Sequence, residues 1–255
     1  MVSQAPASTH TGGFAHLLTN AAAKQVKASK IAQAMTCLDQ AAIETLLTKW
    51  HWQKLSASHE VMWSVELIEQ FKKYWNWNEL SGNESLPWSV ELITLFEDCW
   101  KWKLLSGNTF LPWSLAFVDQ YKSQWDWKAL SRNTALPWSL DLIEQHQYRW
   151  DWKALSSSQI LPWSVGLIER NHYRWDWIEL SCNTALPWSV ELIEEFKDRW
   201  DWYWLSDNAA LPWSAELLEP FGDYWDWNWL FHNKVLPWSD KFPKKKKAAR
   251  VKNLD

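Results

Sequence analysis

Residues 186–207 read LPWSVELIEEFKDRWDWYWLSD, and this stretch holds two helix starts of one design. Ser189 stands where an N-cap belongs, with Trp188 before it and Ile193 four residues after it. An apolar residue ahead of the cap and another at the fourth helical position form a hydrophobic staple. Glu191 falls in the first turn, where the helix dipole favours a carboxylate. Trp200, Asp201 and Leu205 repeat the arrangement. Leu192, Ile193, Phe196 and Trp200 follow at three- to four-residue spacing, which predicts an apolar stripe on the first helix. The second helix is predicted to be short, about Trp202 to Ser206. It ends near Asn208, a residue type that tolerates the left-handed conformation at a helix C-terminus. The Leu-Pro that follows forbids continuation.

This unit recurs every 25 residues without a slip. Leu-Pro-Trp-Ser begins at Leu86, Leu111, Leu136, Leu161, Leu186, Leu211 and Leu236, and Val61-Met-Trp-Ser keeps the phase. Trp-x-Trp pairs begin at Trp50, Trp75, Trp100, Trp125, Trp150, Trp175, Trp200 and Trp225, leaving only Trp204 and Trp229 outside the two signatures. The second cap position carries Asn76, Asp126, Asp151, Asp176, Asp201 and Asp226; only His51 and Lys101 depart from good cap residues. A fixed period of this size marks a solenoid, in which each unit is too small to close a core and must stack on its neighbours. The fold class is therefore all-α, a right-handed-type α-solenoid of about eight helix-turn-helix repeats. The alternative is a leucine-rich-repeat-like β/α horseshoe, since Trp-x-Trp alternates like a strand. Asn78, Lys103, Lys128 and Lys153 put polar residues where that motif needs apolar ones.

The ends are degenerate, as terminal repeats should be. Asp39 aligns with the cap serines and Ala42, Ile43, Leu46 and Trp50 follow in phase, while Pro220 and Gly222 interrupt the first helix of the last full repeat. Three segments result: an acid-poor, partly disordered leader (1–38), the repeat array (39–239) and a basic disordered tail (240–255). The pattern LPWSxELIExxxxxWDWxxLSxN resembles the short tryptophan-rich tandem repeats of bacterial and giant-virus proteins over residues 50–239. The resemblance implies the repeat fold and attaches no activity to it.

Charge is unevenly placed. Residues 50–238 hold 15 Lys/Arg against 26 Asp/Glu, whereas residues 239–255 hold 7 against 2. An acidic body argues against a surface that tracks phosphates, which needs basic columns. The tail residues Lys244, Lys245, Lys246, Lys247, Arg250 and Lys252 suit a nuclear-targeting signal, or contact with nucleic acid or an anionic membrane. No apolar run is long enough to span a bilayer, and the odd set Cys37, Cys99 and Cys182 fits reduced thiols in a cytoplasmic setting better than a disulfide framework.

No catalytic constellation, phosphate loop or metal cluster is recognisable, so no enzyme activity, cofactor or metal is expected. The expected role is a noncatalytic scaffold for a protein partner or self-assembly; the alternative is a nucleic-acid-associated protein acting through its tail. The tryptophans, each matched to an Ile or Leu, read as core rather than as a stacking ladder for bases. Candidate partner-binding residues are those of the variable column Tyr74, Cys99, Gln124, Arg149, Arg174, Arg199 and Tyr224, with Arg199 expected to pair with Glu195 on one helix.

Overall fold

A computed structural model describes residues 40–233, 235 and 236. Asp39, the leader and the basic tail fall outside these residues. Among the described residues every regular element is a helix, and the chain is an all-α repeat solenoid. The β/α horseshoe fails because each described Trp-x-Trp pair opens a helix. The chain divides into two units at Pro137 and Trp138. The first contains α1 (Gln40–Leu46), α2 (Lys49–Ser56), α3 (Val65–Gln70), α4 (Trp77–Gly82), α5 (Val90–Leu95), α6 (Trp102–Gly107), α7 (Leu115–Gln120) and α8 (Trp127–Leu130). The second contains α9 (Leu140–Gln145), α10 (Trp152–Ser156), α11 (Val165–Arg170), α12 (Trp177–Cys182), α13 (Val190–Glu195), α14 (Trp202–Asp207), α15 (Ala215–Leu218) and α16 (Trp227–Leu230).

The caps form as their residue types dictate. Ser89, Ser114, Ser164 and Ser189 each accept a hydrogen bond from the backbone N–H three residues on. Asp126, Asp151 and Asp176 do the same for the second helices. Leu-Pro-Trp makes a three-residue turn: the Trp188 N–H donates to the Leu186 carbonyl at 2.8 Å, as Trp88, Trp113, Trp163 and Trp213 do in their repeats. Proline suits the centre of such a turn because its ring fixes φ near the value required.

Glu66, Glu91, Glu191 and Glu216 lie in these first turns. Each carboxyl is held below its ordinary value of 4.5, first by its own backbone N–H and then by the cap serine. A depressed folded-state pKa means this contribution is intact above 4.5 and is lost as the pH falls through the folded value. The melting temperature should therefore drop on acidification below 4.5. A variant with all four glutamates changed to glutamine should show a shallower drop in thermal circular dichroism.

The first helix is shorter than its apolar stripe. α13 ends at Glu195 because Phe196 takes φ −114, ψ 25, and the chain runs through tight turns to Trp200. The same bend recurs at Phe71, Phe96, Tyr121, His146 and Asn171. It turns Phe71, Phe96 and Tyr121 inward, where each is at most 4% exposed.

Within each unit the second helices lie against one another, α2–α4–α6–α8 in the first and α10–α12–α14–α16 in the second. Two polar side chains per repeat bond them. Ser81 and Ser106 accept from the next repeat's cap N–H at 2.9 Å, and Ser156, Ser181 and Ser206 do so at 2.9–3.0 Å. These hydroxyls donate to the carbonyl four residues back, for example Ser106 to Trp102 at 2.7 Å.

The asparagines depart from expectation. No described residue has positive φ, and Asn83, Asn108, Asn183 and Asn208 are extended. Instead of entering the left-handed region, Asn183 is drawn back towards the previous repeat. Its Nδ2 donates to the Ser156 and Ser158 carbonyls at 2.8 and 2.9 Å, and its Oδ1 accepts from Ala185 N–H at 2.8 Å. Asn83 and Asn208 repeat this reach. A buried amide with its bonds made is a specific tie, because leaving those groups unpaired is costly.

The tryptophans complete the framework. In the opening pair Trp52 is buried and Trp50 half-buried; from Trp75 onward the first of each pair is core, Trp75 at 5% exposed, Trp200 at 4% and Trp225 at 2%. Its indole donates to the carbonyl seven residues back, as in Trp200 to Ile193 at 3.2 Å. Trp225 is the exception: its buried N–H has no partner, in the repeat where Pro220 lies just beyond the shortened α15. Trp188, expected to be equally buried, is only half-buried: it packs on Trp200 at 5.0 Å and donates to the Asn183 carbonyl. The second of each pair bridges repeats edge-on, Trp77 to Trp100 and Trp177 to Trp200 at 4.8 Å.

Candidate functional site

Because the invariant positions are committed to internal bonds, chemistry toward other molecules falls to the variable columns. Within each unit, Tyr74, Arg174, Arg199 and Tyr224 of the variable column lie over the second tryptophan of the preceding repeat. Tyr74 stacks on Trp52 at 5.0 Å and 12°, and Tyr224 tilts over Trp202 at 4.9 Å. The Arg199 guanidinium lies over Trp177 at 5.8 Å. The expected helical pair of Arg199 with Glu195 does not arise, because the helix stops at Glu195 and the bend at Phe196 breaks the i, i+4 register.

Arg174 is half-buried and held on several sides. Its guanidinium carbon lies 4.6 Å from the Tyr148 ring, 5.0 Å from Tyr173 and 5.5 Å from Trp152. It also donates to the Gln147 carbonyl and Oε1, each at 3.1 Å. Arg149 and Gln124 are exposed members of the same column. Lys244, Lys245, Lys246, Lys247, Arg250 and Lys252 lie outside the described residues.

Sequence reasoning missed the residues that hold Arg174. Tyr148 and Tyr173 are 84% and 62% exposed in a column otherwise made of Lys73, Asp98, Ser123, Asp198 and Asp223. An aromatic residue at a polar phase was the available signal. A second exposed cluster contains the two tryptophans outside the repeat signatures: Tyr203 lies 5.1 Å from both Trp204 and Trp229, which are 41% and 36% exposed.

The first unit contains a groove of about 680 Å³ between α2, α4 and the start of α6. Lys49, Lys73, Lys101, Tyr74, Trp77 and Asn78 are among its walls, and no carboxylate lines it. Lys73 reaches Glu44 at 3.4 Å; the Tyr74 hydroxyl first, and then Glu44, hold its ammonium above the ordinary lysine value. Among the described residues Lys49 and Lys101 have no carboxylate partner.

Cys99 is half-buried and Cys182 exposed, both as free thiols, and burial followed by Glu179 and nearby aspartates pushes the Cys182 thiol up, the reverse of nucleophile activation. Among the described residues there is no group of three His, Cys, Asp or Glu placed to hold a metal ion, and no helix is long and apolar enough to cross a membrane. No family model, curated protein or solved structure matches the chain.

Proposed function

We propose that the protein is a noncatalytic scaffold whose variable columns present a surface to a protein partner. The observation that carries this reading is the division of labour among aromatic side chains. Framework tryptophans are buried or half-buried with most indoles bonded to backbone carbonyls, while Tyr148, Tyr173, Trp204 and Trp229 stand exposed at variable positions. Exposed tyrosine and tryptophan supply large contact area at little entropic cost, which is why they dominate the energetics of protein interfaces.

The test is affinity capture from native cells with three baits: the full chain, the chain without residues 240–255, and a Tyr148→Ser/Tyr173→Ser variant. The expected result is one protein partner retained by the first two baits and reduced about tenfold or more by the third, the effect of losing roughly 1.4 kcal/mol. Loss of the partner with the tail, and retention by the tyrosine variant, would transfer the function to the tail. Salt-sensitive binding of nucleic acid that requires residues 240–255 would favour the nucleic-acid reading.

A further inference from the structure

Lys101 occupies a position where the repeat design calls for an acidic or amide cap, and the structure records what this forfeits. α6 has no side-chain cap hydrogen bond, whereas the second helices that follow Asn76, Asp126, Asp151, Asp176, Asp201 and Asp226 all have one. A lysine also sets a positive charge beside the positive end of the helix dipole. A position that breaks the local rule without a structural return marks a functional site. Lys101 has such a use on one side only: it faces the groove of the first unit, together with Lys49 and Lys73.

We propose that this groove binds a nucleoside phosphate. Its volume of about 680 Å³ lies within the range of sites that enclose small ligands. Lysine ammonium groups act as point charges on phosphate oxygens; Lys49 and Lys101 line the groove without a carboxylate partner, while Lys73 beside them is held by Glu44 at 3.4 Å. Trp77, in the wall, supplies π-surface of the kind on which nucleobases stack. The Asn78 and Gln53 amides, also in the wall, offer both donors and acceptors to the polar edge of a base. The column residue beside Trp77 is Cys99, a smaller group than the tyrosine or arginine that covers Trp52, Trp177 and Trp202. The cap column turns acidic from Asp126 onward, so this chemistry belongs to the first unit's early repeats.

The test is isothermal titration calorimetry of the full-length protein with ATP, adenosine and inorganic tripolyphosphate. ATP should bind about tenfold or more tightly than either fragment, since ring and phosphate contacts each contribute. Lys101→Asp should weaken ATP about tenfold or more. The same substitution should hold or raise the melting temperature, because it restores the cap used by Asp126. Lys49→Ala, outside the cap column, should also weaken ATP. Equal affinity for ATP and tripolyphosphate would overturn the proposal by reducing the groove to unspecific charge. So would no heat at millimolar ATP, or unchanged ATP affinity in both lysine variants, which would place any binding in the basic tail.

Discussion

Trp200→Ala should lower the unfolding free energy by about 3–5 kcal/mol, the cost of emptying a large core site that cannot fully collapse. Trp200 is 4% exposed, meets Trp177 at 4.8 Å and Trp188 at 5.0 Å, and donates its indole hydrogen to Ile193. Removing it breaks contacts inside the repeat, to Trp188, Ile193 and Phe196, and one to Trp177 of the repeat before. Lys197→Ala is the matched control and should leave the midpoint nearly unchanged, since exposed ion pairs add little; its bond to Glu194 spans 2.8 Å at the surface. Urea denaturation followed by far-ultraviolet circular dichroism reads both. An unchanged midpoint for Trp200→Ala, with loss of a partner, would make the tryptophans a binding device.

Asn183→Leu should cost about 3–5 kcal/mol, because each buried polar group left unpaired costs about 1–3 kcal/mol. The Ser156 carbonyl and the Ala185 N–H would lose their partner together, while the Ser158 carbonyl would keep only the Trp163 indole. In a repeat array, stability resides in nearest-neighbour interfaces. The damage should therefore appear as uncoupling: a single transition becomes two, and hydrogen exchange accelerates first in the helices flanking the cut. A single transition of unchanged midpoint would mean that the asparagine bonds add nothing to the stack.

The features legible in the sequence were those decided within a few residues. Serine and aspartate caps depend only on the helix they start, so Ser189 and Asp201 could be read directly. Asn183 could not. An asparagine just past a helix fits a left-handed cap equally well, and only carbonyls 25 and 27 residues away decide otherwise. Trp188 and Trp200 share a local pattern, yet Trp200 is covered by Trp177 of the preceding repeat and buried, while Trp188 stays half open. Arg199 was assigned to Glu195 because spacing does not reveal where a helix stops. Lys101 stood out as a departure, but its groove was invisible because the other walls come from earlier repeats.

The bonds of the Ser and Asn columns reach back 20, 25 or 27 residues and no further. A repeat is thus answerable only to the one before and the one after. Deleting or duplicating any whole 25-residue block within a unit leaves every remaining donor opposite an acceptor of the same kind. Copy number can therefore drift by unequal crossing-over at the level of the gene without a misfolded intermediate length, and the span of the surface becomes a heritable variable separate from its chemistry.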